Sequence, residues 1–324
     1  MEKLVIQGGK RLSGEVHISG AKNAALPLMC ASLLSDDGLT LTNLPKLADI
    51  RTLESVLIHL GLSSNRSRHG RAEKITLKPN GSIDTTAPYD MVRKMRASIL
   101  VLGPLLAKYG KASVSLPGGC AIGNRPIDVH LGGLELLGAK IDLSGGYVTA
   151  SAPNGRLIGG RIVMPMVSVG ATENLVMAAT LATGISTIEN AAREPEISDL
   201  CRCLNAMGAK ISGIDSTTLT IEGVEALRHA EHSIMADRIE AGSYAIAGAI
   251  TGGSVTLKDI DATILSSTLD ALRQMGVKVH ITDDGIIITA PETPLKGINL
   301  KTQPYPGFAT DMQPQFMPLA PVVP

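Results

Sequence analysis

The segment MGAKI at residues 207–211 decides the fold, because close copies of it stand at two other places in the chain. Residues 137–141 read LGAKI and residues 275–279 read MGVKV, so the copies follow one another at about 70 residues. In each copy an apolar stretch with helical spacing ends at a glycine, and a lysine then opens a strand-like stretch. A period of about 70 residues is longer than that of a solenoid. It predicts a repeated module of helices and strands.

The same module extends to the start of the chain. The sequence predicts a helix from Lys22 to Leu34, a strand over residues 39–43 and a second helix over residues 50–60, which Gly61 ends. Hydrophobic residues make up 44% of the 324 residues but aromatic residues only 2%, so the core must be aliphatic. Because this length is long for one core, we expect an α/β fold whose repeated units form two similar domains.

Both ends of the chain depart from the module. Alternating apolar residues on either side of Gly8-Gly9 predict a β-hairpin that ends near Ser19-Gly20. A fifth copy begins at Ala309 and stops at once, because the prolines at 314, 318, 321 and 324 are expected to prevent a helix. We therefore expect an unfinished second domain whose apolar helix faces are partly exposed, including Tyr244, Ile246, Leu269 and Leu272.

The loop LPGGCAIGNRPIDVH at residues 116–130 carries the main chemical signal. Its glycines and prolines exclude a helix around Cys120 and predict an exposed loop. A nearby cation such as Arg125 favours the thiolate of Cys120, and its planar guanidinium suits phosphate or carboxylate oxygens. The alternative is a glycine-rich turn with an incidental cysteine.

Charge and cysteine usage restrict the function. Lys and Arg total 30, as do Asp and Glu, and zero net charge argues against a nucleic-acid partner. A basic cluster among small polar residues is typical of a solvated loop (Arg66, Arg68, Arg71 and Lys74). Cys30 is expected in the core, and Cys201 and Cys203 diverge on a helix, so the cysteine spacing predicts no metal site or disulfide. With no apolar run of 18 residues, we expect a soluble, cytoplasmic protein without a membrane partner.

Seven strings in collinear order identify a family resemblance over residues 1–317. They are GAKNAALP (20–27), MRAS (95–98), SLPGGCAIGNRPIDVH (115–130), SVGAT (168–172), AAREPEI (191–197), DRIEAG (237–242) and ATDMQPQF (309–316). Together they resemble the UDP-N-acetylglucosamine enolpyruvyl transferases, also called 1-carboxyvinyltransferases, which catalyse the first committed step of peptidoglycan synthesis.

The resemblance implies two inside-out α/β barrels, each made of three repeats. The first domain would span residues 22–233, and residues 1–21 plus 234–324 would form an incomplete second domain with one full repeat and the start of another. The substrates would be phosphoenolpyruvate and UDP-N-acetylglucosamine, held between the domains. The enolpyruvyl group would pass to the sugar 3-hydroxyl with loss of phosphate. No metal or organic cofactor is implied, and fosfomycin-type inhibitors would react at Cys120.

The resemblance also assigns residues. Cys120 would be the general acid, Asp311 the base or acceptor at the sugar hydroxyl, and Lys22 and Arg125 the phosphate ligands. The substrate-binding set would be Lys22, Asn23, Arg96, Arg125, Pro126, Ile127, Asp128, Val129, Ser168, Val169, Gly170 and Asp311. From the residues alone, Lys22 opens a helix whose N-terminus suits phosphate. The alternatives are that Lys22 is a solvated lysine and that Asp311 is a helix N-cap.

Two departures from the family pattern matter. Met166 stands where the family often has a lysine before VSVG, so one cationic contact to the diphosphate would be absent. The family also continues beyond this length, which leads us to expect little turnover from the chain as it stands. A catalytically dead UDP-sugar-binding module remains an alternative. A relative of the shikimate 3-phosphate enolpyruvyl transferases is another, although that family lacks the PGGC loop.

Overall fold

The computed structural model describes residues 3–70, 72–92, 95–116 and 127–322. The chain divides into two compact units. The large unit comprises Gly20–Met235, and the small unit comprises Met1–Ser19 with Ala236–Pro324.

Strands and helices are interspersed along the described chain. The strands are β1 (Ser13–His17), β2 (Leu39–Leu44), β3 (Leu62–His69), β4 (Ala72–Pro79), β5 (Thr86–Ala87), β6 (Lys111–Ser115), β7 (Lys140–Ser144), β8 (Tyr147–Ser151), β9 (Arg161–Val163), β10 (Ile185–Glu189), β11 (Lys210–Ser212), β12 (Thr218–Glu222), β13 (Glu231–Ser233), β14 (Ser254–Lys258), β15 (Lys278–Thr282) and β16 (Gly285–Thr289). The α-helices are α1 (Lys22–Ala31), α2 (Ala48–His59), α3 (Tyr89–Val92), α4 (Leu102–Tyr109), α5 (Asp128–Leu136), α6 (Val169–Ala179), α7 (Pro195–Ala206), α8 (Arg238–Ile250), α9 (Ser266–Gln274) and α10 (Gln313–Phe316). Short 3₁₀ helices cover Ser32–Leu34, Arg96–Val101, Ala262–Leu265, Thr310–Met312 and Met317–Val322.

The described strands form four four-stranded sheets of the same design. The strand orders are β13-β2-β4-β3, β5-β6-β8-β7, β9-β10-β12-β11 and β1-β14-β16-β15. In each sheet a short parallel strand flanks an antiparallel set of three. Within the described residues none of these sheets closes into a barrel. The repeated α/β modules predicted from the 70-residue period are confirmed.

The repeated Gly-Ala-Lys segment is a helix stop followed by a strand start. Gly138, Gly208 and Gly276 have φ values of 85°, 105° and 94°, a left-handed conformation that favours glycine. The amide of the following residue donates back across the last turn, as from Ala209 N to Leu204 O at 2.9 Å. This arrangement is a Schellman cap. It ends the second helix of each module and directs the chain into the next strand.

The core of the large unit is helical and aliphatic. Residues 24–31 of α1, 102–107 of α4 and 171–179 of α6 are all buried. A helix that is apolar on all sides requires neighbours on all sides. These three helices therefore occupy the interior, and strands such as β8 and β12 bury alternate side chains.

The two chain ends differ from their predictions. Residues 3–12 contain no strand, so the predicted N-terminal hairpin is wrong, and only β1 forms. β1 pairs in parallel with β14, Ser13 opposite Ser254, rather than with its neighbour in sequence. At the other end residues 310–322 are helical. Pro314 lies in the first turn of α10, where its missing N–H costs nothing, and Pro318 and Pro321 lie in the 3₁₀ helix Met317–Val322. The prediction that the prolines exclude a helix is therefore also wrong.

The helical tail completes the core of the small unit. Met312, Phe316 and Leu319 are buried in that core, and Phe308 meets Phe316 edge-to-face with ring centroids 5.0 Å apart. Ile246, Leu269 and Leu272 are consequently at most 4% exposed. The predicted exposed faces are wrong for these three residues, and Tyr244 alone of the four is exposed, at 41%.

Candidate functional site

The first turn of α1 is positioned by a close backbone contact. A Cβ atom added to Gly20 would lie 1.8 Å from the carbonyl oxygen of Asn43, so only glycine fits there. Asn43 has a left-handed φ of 55°, and its side-chain amide donates to Ile234 O at 2.9 Å. Ala21 N donates to Met235 O at 2.8 Å. These contacts fix the two residues that precede Lys22, the first residue of the helix.

Lys22 lies at the positive end of a ten-residue buried helix. Its Nζ is 3.5 Å from Asp49 Oδ2 in the first turn of α2, and both side chains are nearly half exposed. An exposed ion pair of this kind contributes little free energy. An anionic ligand can therefore compete with Asp49 for Lys22. The sequence carried no signal for Asp49 as this partner.

The first turns of α5 and α6 carry the other predicted contacts that the structure describes. Asp128 opens α5 directly after the buried Ile127. Ser168 is the N-cap of α6, and its Oγ accepts from Ala171 N at 3.4 Å. An N-cap satisfies one of the free amides of the first turn and leaves the others available to a ligand.

A cavity of about 380 Å³ joins the first turn of α5 to β9 and the residues after it. Asp128 and Val129 line one side and Met164 and Pro165 the other. Gly170 of α6 also approaches this region, because a Cβ atom added to it would lie 3.4 Å from the His130 ring. The structure thus places Gly170 of α6 beside His130 of α5, while Asp128 and Val129 of the same first turn line the cavity.

Several predicted residues are not among the described ones. Cys120, Arg125 and Pro126 lie outside the described residues, as does the side chain of Arg96. The other cysteines are described, and all three are free and buried. Burial raises the pKa of Cys201 and of Cys203 to about 12 and raises that of Cys30 further. These three are core thiols, as the sequence predicted for Cys30, and burial makes them poor nucleophiles.

Asp311 belongs to the small unit and is exposed. It lies inside the Thr310–Met312 turn, whose N-cap is Ala309, so the alternative interpretation of Asp311 as an N-cap is wrong. Met312 next to it is 1% exposed and packs against Gly242, where an added Cβ atom would lie 2.6 Å from Met312 Cε. Asp311 is therefore a surface carboxylate on a well-anchored turn.

The DRIEAG string supplies structural contacts in the same unit. Asp237 caps α8 by accepting from Ile239 N at 2.8 Å and Glu240 N at 3.1 Å. Glu240 accepts from the backbone N of Ser19 at 2.8 Å and from its hydroxyl at 3.0 Å. Arg238 is buried, with its guanidinium carbon 6.0 Å from the centre of the Tyr305 ring. The string thus holds the N-terminal segment and the start of α8 together.

A buried acidic group in the large unit was missed by the sequence analysis. Glu173 of α6 is 4% exposed, and Glu196 of α7 is 3% exposed. Burial, and then repulsion from Glu196 and Glu194, holds the pKa of Glu173 well above its usual range. Residues 170–174, which read GATEN, offered a signal, since a glutamate in an otherwise apolar helix is unusual.

The basic cluster is part of a sheet. Arg66 lies in β3 and donates to Glu54 Oε2 at 2.9 Å and to Glu73 Oε2 at 2.7 Å. The prediction of a solvated loop is therefore wrong for Arg66.

The described residues contain no group of three His, Cys, Asp or Glu side chains suited to a metal ion. Within them, every helix is too short or too polar to cross a membrane.

Comparison with known proteins gives a consistent result. Residues 6–323 match the family model described as EPSP synthase (3-phosphoshikimate 1-carboxyvinyltransferase). The UDP-N-acetylglucosamine 1-carboxyvinyltransferase of Zymomonas mobilis is 56% identical over 98% of this chain and 75% of its own length. The protein of the same name from Sphingopyxis alaskensis is 57% identical over 99% of this chain and 75% of its own.

Solved structures share the fold. The enolpyruvyl transferase NikO from Streptomyces tendae matches 98% of this chain and 74% of its own, with a TM-score of 0.85 and 22% identity. An EPSP synthase from Acinetobacter baumannii matches 97% of this chain and 71% of its own, with a TM-score of 0.70 and 19% identity. At such identities the likeness concerns the fold alone.

Proposed function

Because this chain belongs to the UDP-N-acetylglucosamine 1-carboxyvinyltransferases, we propose that it transfers the enolpyruvyl group of phosphoenolpyruvate to the 3-hydroxyl of UDP-N-acetylglucosamine. The identity of 56–57% over nearly the whole chain carries this proposal. This identity does not favour a shikimate 3-phosphate enzyme or a catalytically inactive binding module. The chain spans about three quarters of the length of these relatives.

The proposed reaction is an addition followed by an elimination. The sugar 3-hydroxyl oxygen bonds to C2 of phosphoenolpyruvate, its proton passes to Asp311, and Cys120 gives a proton to C3. The tetrahedral intermediate then returns a proton from C3 to the Cys120 thiolate, the bond from C2 to the phosphate oxygen breaks, and the leaving phosphate takes up the proton held by Asp311. The products are inorganic phosphate and the enolpyruvyl ether of the sugar nucleotide.

The binding roles follow the helix N-termini. Lys22 and Asn23, with Arg125, would hold the phosphate of phosphoenolpyruvate. Arg96 would contact the substrates. The uridine and diphosphate would contact residues 125–129 and 168–170. Of these, Asp128 and Val129 line the cavity beside β9, and Gly170 lies next to His130. Met166 is 57% exposed beside this region and brings no charge to the diphosphate.

The cellular location and the biological role of the enzyme are proposed from the state of its cysteines and from its proposed reaction. We place the enzyme in the cytoplasm, since the described cysteines are all free thiols. Through peptidoglycan synthesis it would serve cell-wall biogenesis, cell shape and cell division.

Alkylation by fosfomycin, an epoxide phosphonate, tests the assignment of Cys120. We expect one adduct per chain, at Cys120, because Cys30, Cys201 and Cys203 are buried with raised pKa values. Peptide mapping by mass spectrometry locates the adduct, and the rate is measured with and without phosphoenolpyruvate. The C201S variant is the matched control and should label like the wild type, whereas C120S should not label. Faster modification of Cys30, Cys201 or Cys203 would contradict the assignment.

A further inference from the structure

Asp199 of α7 is a buried carboxylate directed at the segment that follows β13. It is 7% exposed, and its Oδ2 accepts a hydrogen bond from Met235 N at 3.2 Å. Its Oδ1 lies 2.9 Å from Nε2 of His232, which belongs to β13. One side chain of α7 therefore contacts both β13 and the backbone just after it.

The backbone after β13 uses this side chain where the regular partner strand stops. Ile234 N still donates to Thr42 O of β2 at 3.1 Å. The next residue of β2, Asn43, adopts a left-handed φ of 55°, which interrupts its extended backbone. A partly buried backbone amide needs an acceptor, and the Met235 amide has it in the Asp199 side chain.

Met235 in turn holds the start of α1. Its carbonyl oxygen accepts from Ala21 N at 2.8 Å. Ala21 is 1% exposed and is the N-cap residue of α1, directly before Lys22. Because alanine has no side-chain oxygen with which to cap a helix, the place of this residue depends on its backbone contacts. Two hydrogen bonds thus connect Asp199 to the residue that precedes Lys22.

The small unit contains the same arrangement, made from other residues. Ser19 N donates to Glu240 Oε2 at 2.8 Å, and Ser19 O accepts from Asp237 N at 2.9 Å. Asp237 is the N-cap residue of α8, as Ala21 is of α1. In each unit a carboxylate therefore holds the amide of a residue whose carbonyl holds the N-cap amide of a helix. Of the two helices, α1 is the one whose first residue is Lys22.

We propose that Asp199 is a positioning residue of the phosphate site, which sets the place of Lys22 through the backbone of Met235. This role rests on the proposed function, in which Lys22 and Asn23 at the N-terminus of α1 hold the phosphate of phosphoenolpyruvate. Asp199 itself does not touch the substrate. Without its carboxylate the Met235 amide has to find another acceptor, and a displacement of Met235 displaces the turn before Lys22.

Amide hydrogen exchange followed by NMR tests the connection without any ligand. The amides of Met235 and Ala21 should exchange slowly in the wild type. In D199A both should exchange at least about tenfold faster, because the first loses its acceptor and the second loses a fixed partner. Unchanged protection of the Ala21 amide in D199A would overturn the proposal.

E240A is the matched control, since it removes the corresponding carboxylate of the small unit. It should accelerate exchange at Ser19 and Asp237 and leave the Ala21 amide as it is in the wild type. Faster exchange at Ala21 in E240A, to the extent seen in D199A, would show a general loosening of the fold and would also overturn the proposal.

Calorimetric titration separates positioning from packing. We expect the dissociation constant for phosphoenolpyruvate to rise about fivefold to tenfold in D199A, an effect the size of one hydrogen bond. The constant for UDP-N-acetylglucosamine should change less than about twofold, because its proposed contacts lie at α5 and α6. E240A should bind phosphoenolpyruvate within about twofold of the wild type. D199N keeps an oxygen that can accept from Met235 N, so it should recover to within about threefold.

The failure of this role and the failure of the proposed function give different results. Equal losses of phosphoenolpyruvate affinity in D199A and E240A would show a merely structural carboxylate, as would equal losses for both ligands in D199A. Where D199A does not fold, D199E moves the acceptor by one methylene group, and wild-type affinity for phosphoenolpyruvate in D199E would overturn the role. If the wild-type chain binds no phosphoenolpyruvate, the proposed phosphate site fails and the role of Asp199 with it. The exchange measurement is independent of that outcome.

Discussion

The close contact between Gly20 and Asn43 predicts how a substitution at Gly20 would affect stability and the proposed phosphate contact of Lys22. In G20A the new Cβ atom would lie 1.8 Å from the Asn43 carbonyl oxygen, about 1.5 Å inside an ordinary contact distance. Neither backbone can yield easily, because Asn43 holds Ile234 and Ala21 holds Met235 through hydrogen bonds. Overpacking of this kind costs about 1–3 kcal/mol or more. For a unit of roughly 200 residues that corresponds to a fall in Tm of about 2–12 °C.

Calorimetric unfolding of G20A and G132A provides the measurement and its matched control. Gly132 lies in α5 with nothing within 4 Å of an added Cβ atom, so G132A should be neutral or up to about 1 kcal/mol more stable. G20A should also bind phosphoenolpyruvate at least tenfold more weakly, since any relief of the clash moves Lys22. Equal stability of G20A and G132A would refute the reasoning about this turn.

Two further predictions concern the cores of the two units. E173Q removes the Glu173 carboxyl. Burial, and then repulsion from Glu196 and Glu194, raises the pKa of this carboxyl, so the folded state binds its proton more tightly than the unfolded state does. The stability of the wild type should then fall as the pH rises above the ordinary glutamate pKa. E173Q should be the more stable protein at pH 8, with a difference that shrinks towards pH 4 in urea titrations. A difference that grows towards pH 4 would contradict this. M312A should lower the unfolding free energy by about 2–5 kcal/mol in the same assay, because it empties a buried position. A loss below about 1 kcal/mol would mean that the Thr310–Met312 turn is not anchored as the structure shows.

The repeated modules were predictable because their signals are local. A helical apolar stretch, a glycine with φ near 90° and a following strand all lie within a few residues of one another, and the same sequence recurs wherever the geometry recurs. The N-terminal hairpin was not predictable in this way. β1 has the alternation of a strand, but its partner β14 lies some 240 residues further along the chain, and local alternation does not specify a distant partner.

The tail after Ala309 shows a second limit of local rules. Proline is disfavoured in the interior of an α-helix but is accepted in a first turn, and Pro314 occupies such a position. Short helical turns of two kinds then succeed one another up to residue 322. Whether such turns form depends on the apolar surface available to Phe316 and Leu319, which is a tertiary property.

The same distinction between local features and distant contacts applies to the candidate site. Lys22 at a helix start and Ser168 before a helix could be predicted, since capping and helix N-termini are local features. Asp49 beside Lys22 and Asn174 beside His130 could not, because each partner comes from another helix and its sequence neighbours give no sign of the pairing.

The strings shared with the family contain two kinds of residue. Gly20 lies two residues before Lys22 and allows the backbone of Asn43 to approach. Gly242 lies opposite the turn that carries Asp311 and allows the Met312 side chain to approach. In the same way His130 follows residues 127–129 directly, and its ring lies beside Asn174 and Gly170. A string therefore combines side chains proposed to touch substrate with residues that set where those side chains lie. Substitutions of the second group should alter affinity in proportion to the displacement they cause, even though their own atoms are buried away from the ligand.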